Sequence, residues 1–103
     1  MIIEVCTYRV KADRRTDFLQ FFETQVPALR SHGIGILGPL IDLENPNRFV
    51  WLRSFPSNEE RRRMKKTFND SRDELERTAM TMLDSWDFTI CETPTGYTQD
   101  KLA

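Results

Sequence analysis

The fold is decided by residues 34–55, which read IGILGPLIDLENPNRFVWLRSF. Two apolar runs in this stretch flank residues 45–47, whose Asn-Pro-Asn composition favours a turn. The second run, Arg48 to Phe55, is rich in aromatic and β-branched residues and predicts a strand. The first run, Ile34 to Glu44, contains two glycines and a proline, which favour a bulged or edge strand. The stretch is therefore predicted to form a β-hairpin.

One strand and one helix are predicted before the hairpin. Residues Ile2 to Val10 favour a strand because they are largely β-branched or aromatic. From Arg14 to His32 apolar residues recur at helical spacing, and Asp13 is placed to cap the start of this helix. Pro27 is expected to kink the helix or weaken its last turns, and His32-Gly33 predict its end. The apolar stripe of the helix consists of Phe18, Phe21, Phe22, Val26 and Leu29.

A helical region and a last strand are predicted after the hairpin. Residues 57–60 match the capping box S-x-x-E, and residues 71–74 match a second one. The region 57–84 is therefore predicted to form two helices joined near Asn69-Asp70. Trp86 to Glu92 alternates apolar and polar residues, as a strand does. The order β-α-β-β-α-β predicts one ferredoxin-like α+β domain over residues 1–93, with a four-stranded antiparallel sheet. Residues 94–103 are expected to form a tail that is mobile or draped over a partner.

The predicted strands carry apolar side chains on both of their faces. Two helices can cover only one face of a four-stranded sheet, and a face in water would be polar. A second copy of the chain is the simplest cover, so a homodimer is predicted. The residue pairs that supply both faces are Ile2/Ile3, Ile36/Leu37, Leu40/Ile41, Phe49/Val50 and Trp51/Leu52.

Composition excludes several classes of protein. The chain has 103 residues, fifteen of them basic and sixteen acidic, and this balance provides no global field for nucleic acid or anionic lipid. The first segment is too short and polar for a secretory signal, so a cytoplasmic protein is expected. Cys6 and Cys91 lie in apolar runs and are expected to be reduced, buried residues. One histidine and no clustered thiols predict no metal site.

Four residues on two strands are candidates for a ligand site. Glu4 and Tyr8 share one strand face, where Tyr8 could donate a hydrogen bond to a ligand carbonyl or enolate while Glu4 holds it in place. The alternative is a polar network at the dimer seam. Trp51 and Arg53 also share a face, and an aromatic wall beside a cation suits a planar anionic ligand. The alternative is a core tryptophan and an arginine that is paired with an acid across the interface.

His32 is the other candidate, because it is the one histidine of the chain and histidine is the residue type that commonly exchanges protons near neutral pH. It could act as a general base or bind a metal or haem. The helix-end signal already explains it, and this interpretation is favoured. Trp86 and Phe88 are assigned to packing. The basic run Glu59 to Lys66 is interpreted as a solvated helix face with a Glu59–Arg63 ion pair, rather than as a nucleic-acid patch.

The opening segment, EVCTYRVKADRRTDFLQFFETQVPALRSHG, resembles the start of NIPSNAP-family domains. Those domains have an E-x-R-x-Y strand, then a helix running from F-L-x-x-F to P-x-L-x-x-H-G. The resemblance continues through the hairpin to Ser57–Arg61 and covers roughly residues 2–92. Cys6 stands where the family pattern has an arginine, so any ligand-binding role of that arginine is vacant or moved to Arg9 or Arg53.

The resemblance implies a dimeric α/β barrel, in which two sheets pack face to face with the helices outside. The wider superfamily includes cofactor-free monooxygenases and haem-binding enzymes. Two hypotheses follow. In the first, the cleft between sheet and helices binds a small, largely apolar molecule, with cofactor-independent monooxygenase or isomerase activity; no cofactor is identified. In the second, the chain is a non-catalytic dimeric interaction module. Convergent polar groups in the cleft would favour the first. A solidly filled helix–sheet interface would favour the second.

Overall fold

The computed structural model describes residues 1–70 and 73–94, and the side chains within these ranges other than those of residues 68–76. The second predicted capping box, which begins at Ser71, and the tail after residue 94 lie outside the described residues. A single turn of 3-10 helix at Ala12–Arg14 precedes the first α-helix. The elements are β1 (Ile2–Val10), α1 (Arg15–Ser31), β2 (Gly35–Ile41), β3 (Arg48–Phe55), α2 (Asn58–Asp70), α3 (Asp73–Met80) and β4 (Leu83–Glu92).

The four strands form one antiparallel sheet in the order β2-β3-β1-β4. The central pair, β1 and β3, comes from the two sides of α1 in sequence. This is the sheet order of the ferredoxin-like fold, and it confirms the predicted α+β class. Among the described residues, no helix is long and apolar enough to cross a membrane.

Most predicted element boundaries are confirmed within a few residues, and two local predictions are wrong. β2 ends at Ile41 rather than Glu44, because the Asp42 carboxylate accepts hydrogen bonds from the Glu44 and Asn45 amides and so closes a turn. The Glu44 amide is the main reason that the pKa of Asp42 lies below its ordinary value. Asp13 does not cap α1: it lies inside the 3-10 turn, and the N-cap residue is Arg14, with no side-chain hydrogen bond.

The predicted bulge in β2 is confirmed at Gly38. The register of β2 against β3 shifts between Leu37 and Leu40, and Gly38 has φ 131°. A Cβ atom at this position would lie 2.7 Å from the Cβ of Trp51. Only glycine combines this backbone angle with so close an approach. The bulge thus lets the backbone of β2 pass directly over Trp51.

The core lies between α1 and one face of the sheet. Phe18, Phe22 and Leu29 are the buried residues of α1, and Phe21 and Val26 pack partly buried beside them, as the stripe predicts. Pro27 does not end the helix, which continues to Ser31. The buried residues that the sheet supplies to this core are Ile2, Cys6, Val10, Phe49, Trp51, Phe55 and Leu83.

The other face of the sheet points away from α1. Because side chains alternate along a strand, Val5, Val50 and Leu52 lie on this outward face. The strand register aligns Val5, Leu52 and Leu37 in one row across β1, β3 and β2, and it places Leu40 beside Val50. Leu37 and Leu40 are exposed. The outward face is therefore apolar across these three strands.

Candidate functional site

Glu4 is a buried carboxylate at the centre of the sheet. Glu4 lies on β1 opposite Arg53 of β3 and Ile90 of β4, and only 1% of its surface is exposed. Strand alternation places it on the helix side, together with Cys6 and Tyr8. A buried charge is costly unless it is paired and hydrogen-bonded. The residues around Glu4 therefore decide what this part of the sheet can do.

Three cations surround this carboxylate. Arg61 Nη1 and Lys65 Nζ donate hydrogen bonds to Glu4 Oε2 over 2.9 and 3.2 Å. Arg53 Nη2 lies 2.8 Å from Oε1, an ion pair by distance that lacks the alignment of a hydrogen bond. We name Glu4, Arg53, Arg61 and Lys65 the Glu4 cluster. Three positive groups face one negative group, so the cluster carries two positive charges in excess.

Helix α2 brings two of these cations to the sheet. Its start is fixed by Ser57, whose hydroxyl oxygen accepts a hydrogen bond from the Glu60 amide over 3.1 Å, as the capping box predicts. Arg61 and Lys65 are four residues apart and therefore share a helix face, which is turned toward Glu4. The interpretation of residues 59–66 as a purely solvated face is thus wrong. The partner of Arg63 is Glu60, at the helix surface, rather than Glu59.

Aromatic rings lie directly against the cations. The Arg53 guanidinium is 4.8 Å from the centroid of the Trp51 ring and 5.4 Å from that of Phe88. Lys65 Nζ lies 5.8 Å from the Phe88 centroid. Phe88 is also in edge contact with Tyr8, at 6.1 Å between centroids. At these distances the ring faces attract the cations and help to hold them in place.

Strand β4 presents a row of half-exposed apolar side chains beside this cluster. Trp86, Phe88 and Ile90 pair with Tyr8, Cys6 and Glu4, so they lie on the helix side of the sheet. Their exposed fractions are 47%, 41% and 53%. We name these three residues the β4 ridge. The assignment of Trp86 and Phe88 to packing is only partly right: Phe88 contacts Tyr8, but close to half of each of the two side chains is exposed.

An open cleft adjoins both features. It has a volume of about 470 Å³ and lies between the end of the sheet and the start of α2. Arg61 of the Glu4 cluster and Ile90 of the β4 ridge line it, together with Ser57 and Asn58. A volume of a few hundred Å³ is typical of small-molecule sites. Charge, ring surface and space thus meet on one side of the sheet.

The structure brings four of the five predicted site residues together. Glu4 and Arg53 belong to the Glu4 cluster, and Tyr8 contacts Phe88 of the ridge. Trp51 is 4% exposed and makes an edge contact with Phe22, so it supports Arg53 from the core and offers no open wall to a ligand. Phe88 and Trp86 offer that wall instead.

His32 occupies a different place, at the end of α1. It is the C-cap residue; its amide donates a hydrogen bond to the carbonyl of Leu29, and the Gly33 amide donates one to the carbonyl of Arg30. Gly33 follows with φ 85°, as the helix-end signal predicts. The ion pairs of the Glu4 cluster and the ring contacts of the β4 ridge described above are made by other side chains. In the described part of the chain, no group of three or more His, Cys, Asp or Glu residues could hold a metal ion.

Three site residues were missed by the sequence interpretation, namely Arg61, Lys65 and Phe88. A signal for the first two was present: they stand four apart on a helix that follows a strand hairpin, and Glu4 is an acid within an apolar strand. A buried acid requires a cation, and a helix packed on the same sheet face is a natural source of one. Of the two arginines considered for the role of the family's arginine at position 6, Arg53 lies in the cluster and Arg9 is exposed.

The two cysteines differ sharply in environment. Both are free thiols; Cys6 is fully buried, but Cys91 is exposed, so its predicted burial is wrong. The reason is that Cys91 lies on the edge strand β4. Burial raises the pKa of the Cys6 thiol to about 11, and this effect outweighs the opposite effect of the Arg53 charge.

We expect iodoacetamide to modify Cys91 before Cys6 in the folded protein, because the thiolate is the reactive form. Peptide mass spectrometry of briefly alkylated samples measures this order, and faster labelling of Cys6 would contradict it.

The folded state also keeps the Cys6 thiol protonated at pH values above the ordinary thiol pKa of 9.0. Stability should therefore fall as the pH rises from about 9 through about 11, and Cys6→Ala should remove this part of the loss.

The fold and the site define a ferredoxin-like α+β protein whose sheet carries the Glu4 cluster and the β4 ridge on its helix side, with an open cleft beside them. Comparison with solved structures finds named groups that share this fold. A NIPSNAP domain protein from Burkholderia xenovorans superposes with a TM-score of 0.76 at 13% identity, covering 96% of this chain and 100% of that one. A NIPSNAP family protein from Agrobacterium tumefaciens gives 0.75 at 14% identity, covering 95% and 96%.

An antibiotic biosynthesis monooxygenase has the same fold, with a TM-score of 0.72 at 12% identity, covering 91% of this chain and 99% of that one. No family model and no curated protein matches the sequence. The resemblance to NIPSNAP domains is therefore confirmed at the level of the fold.

Proposed function

We propose that this chain binds a small, planar and largely apolar molecule against the β4 ridge, in the cleft between the sheet and α2. The observation that carries the proposal is the half-exposed row of Trp86, Phe88 and Ile90 beside a cluster of fixed cations. Water is a poor partner for three adjacent apolar side chains, and a flat ring can cover them. Burial of such a ring would contribute roughly 25 cal/mol for each Å² removed from water.

The chemistry that the site suits best is stabilisation of negative charge on an oxygen of the bound molecule. Positive groups held in place by Glu4 need little reorganisation when such charge develops. Two reaction classes depend on this stabilisation of negative charge. One is enolisation of a ketone, in which a proton moves from the α-carbon to the carbonyl oxygen, and the other is cofactor-independent oxygenation. In the second, a naphthol and dioxygen give a naphthoquinone and water. Oxygenation is favoured by the monooxygenase among the structures with this fold.

Tyr8 is the residue that we propose as hydrogen-bond partner of the reacting oxygen. Its ring contacts Phe88, Trp51 and Phe18, so its position beside the ridge is fixed from three sides. His32 is accounted for by its place at the end of α1. A role for His32 in proton transfer is therefore the weaker proposal of the two.

The partner that we propose for the outward face is a second copy of the chain. Its support is the continuous apolar surface of Val5, Leu52 and Leu37, which a monomer would leave in contact with water. This arrangement leaves the helix side of each sheet open to ligand. The proposed site is thus contained within one protomer.

Ring binding can be measured with naphthamide, a neutral planar probe. We expect a saturable rise in Tm that follows RT ln(1 + [L]/Kd), where L is the probe. Phe88→Ser should reduce the rise, because it removes the ring at the middle of the ridge. Leu43→Ser is the matched control, since Leu43 is fully exposed in the loop after β2. An unchanged rise in Phe88→Ser would contradict the proposed site.

The reaction class requires separate assays. Oxygen uptake with naphthol tests oxygenation, and deuterium incorporation from heavy water into tetralone tests enolisation. Activity that is lost in Tyr8→Phe and kept in His32→Ala would support the proposed role of Tyr8. Absence of binding by every planar probe would instead favour the non-catalytic interaction module.

A further inference from the structure

We infer that the natural ligand carries an anionic group directly on its planar ring, and that Arg61 and Lys65 of α2 bind an oxygen of that group. The inference rests on the proposed ring site and adds the charge of the ligand and the residues that select it. Glu4 is, in this view, a positioning residue that holds the cations in place for the ligand.

The first argument is the charge of the Glu4 cluster. Three cations share one carboxylate, and their side chains are only 11%, 15% and 30% exposed for Arg53, Arg61 and Lys65. A structural ion pair needs one cation for one acid. Additional cations at a partly buried site repel one another and lose hydration, which is costly unless a second anion joins them. A monoanionic ligand would halve the excess charge.

The second argument is an unsatisfied donor. The Nε of Arg53 is buried and has no hydrogen-bond partner, although the residue is only 9% exposed. The neighbouring Cys6 sulfur is a weak acceptor. Buried donors of charged groups are normally satisfied, and each exception requires an explanation. Glu4 Oε1, 2.8 Å from Arg53 Nη2, is likewise buried without an aligned hydrogen-bond partner, so the pairing within the cluster is incomplete and leaves room for a further polar group.

The third argument fixes where the charge sits on the ligand. Lys65 Nζ lies over the Phe88 ring, and Arg61 lines the same cleft as Ile90. A ring packed on Ile90 has the Arg61 guanidinium near it, with the Glu92 carboxylate also in the lining, and Lys65 lies beside the neighbouring Phe88. An anionic group attached directly to the ring can reach them, whereas one on a long flexible chain would extend past them.

The test compares two probes of equal shape and different charge, naphthoate and naphthamide. At low salt we expect naphthoate to bind at least about ten-fold more tightly than naphthamide, which is the size of effect that a charge-assisted hydrogen bond gives. Added sodium chloride should narrow the difference by weakening only naphthoate binding. Isothermal titration calorimetry on the intact chain gives both dissociation constants.

Adjacent lysines on α2 provide matched variants. Lys65→Met removes a cation of the cluster, and Lys66→Met removes an exposed one from the next position, with the same change in net charge. We expect Lys65→Met to reduce naphthoate affinity about ten-fold and to leave naphthamide affinity nearly unchanged. Lys66→Met should leave both affinities close to those of the unmodified chain.

Whether the anionic group of the ligand is a phenolate or a carboxylate can be tested with para-nitrophenol, whose phenol and phenolate forms absorb at different wavelengths. Binding to the cations should lower its pKa, because they favour the charged form. A lowered pKa in the presence of the protein identifies a phenolate or enolate ligand class. Tight naphthoate binding without this change identifies a carboxylate class. Either outcome supports the inference.

Equal affinities for naphthoate and naphthamide would overturn the inference and leave the proposed ring site intact. A preference for naphthoate that is lost equally in Lys65→Met and Lys66→Met would also overturn it, since the effect would then come from net charge alone. Failure of both probes to bind would count against the proposed function itself.

Discussion

Replacement of Glu4 by glutamine is expected to lower the free energy of unfolding by about 3 kcal/mol or more. The change keeps the shape of the side chain and removes the charge that holds Arg53, Arg61 and Lys65 together. Loss of one partner from a buried ion pair leaves uncompensated charge behind, which is the reason for the large cost. Lys65 retains 30% exposure, so the lower end of the usual range of about 3–5 kcal/mol applies.

Urea denaturation of Glu4→Gln and of Glu60→Gln measures this effect against a control. Glu60 pairs with Arg63 at the helix surface, where water screens the pair, so its replacement should change the midpoint little. A Glu4→Gln midpoint that coincides with that of the unmodified chain would contradict the view that Glu4 organises the cluster.

The second large effect is expected for the outward face of the sheet. Leu52→Asp or Val50→Asp should convert the proposed homodimer, at micromolar concentration, into monomer or unfolded chain. Both residues lie on the face turned away from α1, in rows with Val5, Leu37 and Leu40. An unpaired carboxylate buried between two apolar sheets would cost several kcal/mol.

Sedimentation equilibrium gives the mass of each species. Leu43→Asp is the control, because it adds the same charge at a fully exposed site outside the sheet. A well-folded monomer for the unmodified chain at micromolar concentration would remove the argument for the dimer. A stable dimer in Leu52→Asp would place the interface on another surface.

The fold could be predicted from the sequence where a local pattern and the tertiary requirement agree. β3 is predicted at Arg48–Phe55 and found there, because its alternating side chains serve two faces at once. The β2 bulge follows from Gly38, which no other residue can replace beside Trp51.

Predicted strand boundaries were wrong where side chains compete for backbone hydrogen bonds. Asp42 ends β2 early by accepting two amide hydrogen bonds, which a count of apolar residues does not reveal.

The site was only half predictable, for a reason of geometry. Strand alternation places Glu4 with Tyr8 on one face of β1, and Trp51 with Arg53 on one face of β3, without reference to the rest of the chain. That these two faces are the same face of the sheet depends on the register of β1 against β3. Which face of α2 turns toward the sheet depends on how the helix packs, and eight residues from Glu59 to Lys66 with charges on all sides give little indication. Phe88 was assigned to packing because exposure of an edge strand depends on what the helices leave uncovered.

The proposed position of the ligand can be tested most directly by nuclear Overhauser effects between naphthoate and isotope-labelled isoleucine methyl groups. Ile90 is the isoleucine on the β4 ridge, and Ile3 lies on the outward face of β1. We predict effects from the ring protons to the Ile90 methyl group, weakened in Lys65→Met and retained in Lys66→Met. Effects to Ile3 without any to Ile90 would contradict the proposed site on the helix side of the sheet.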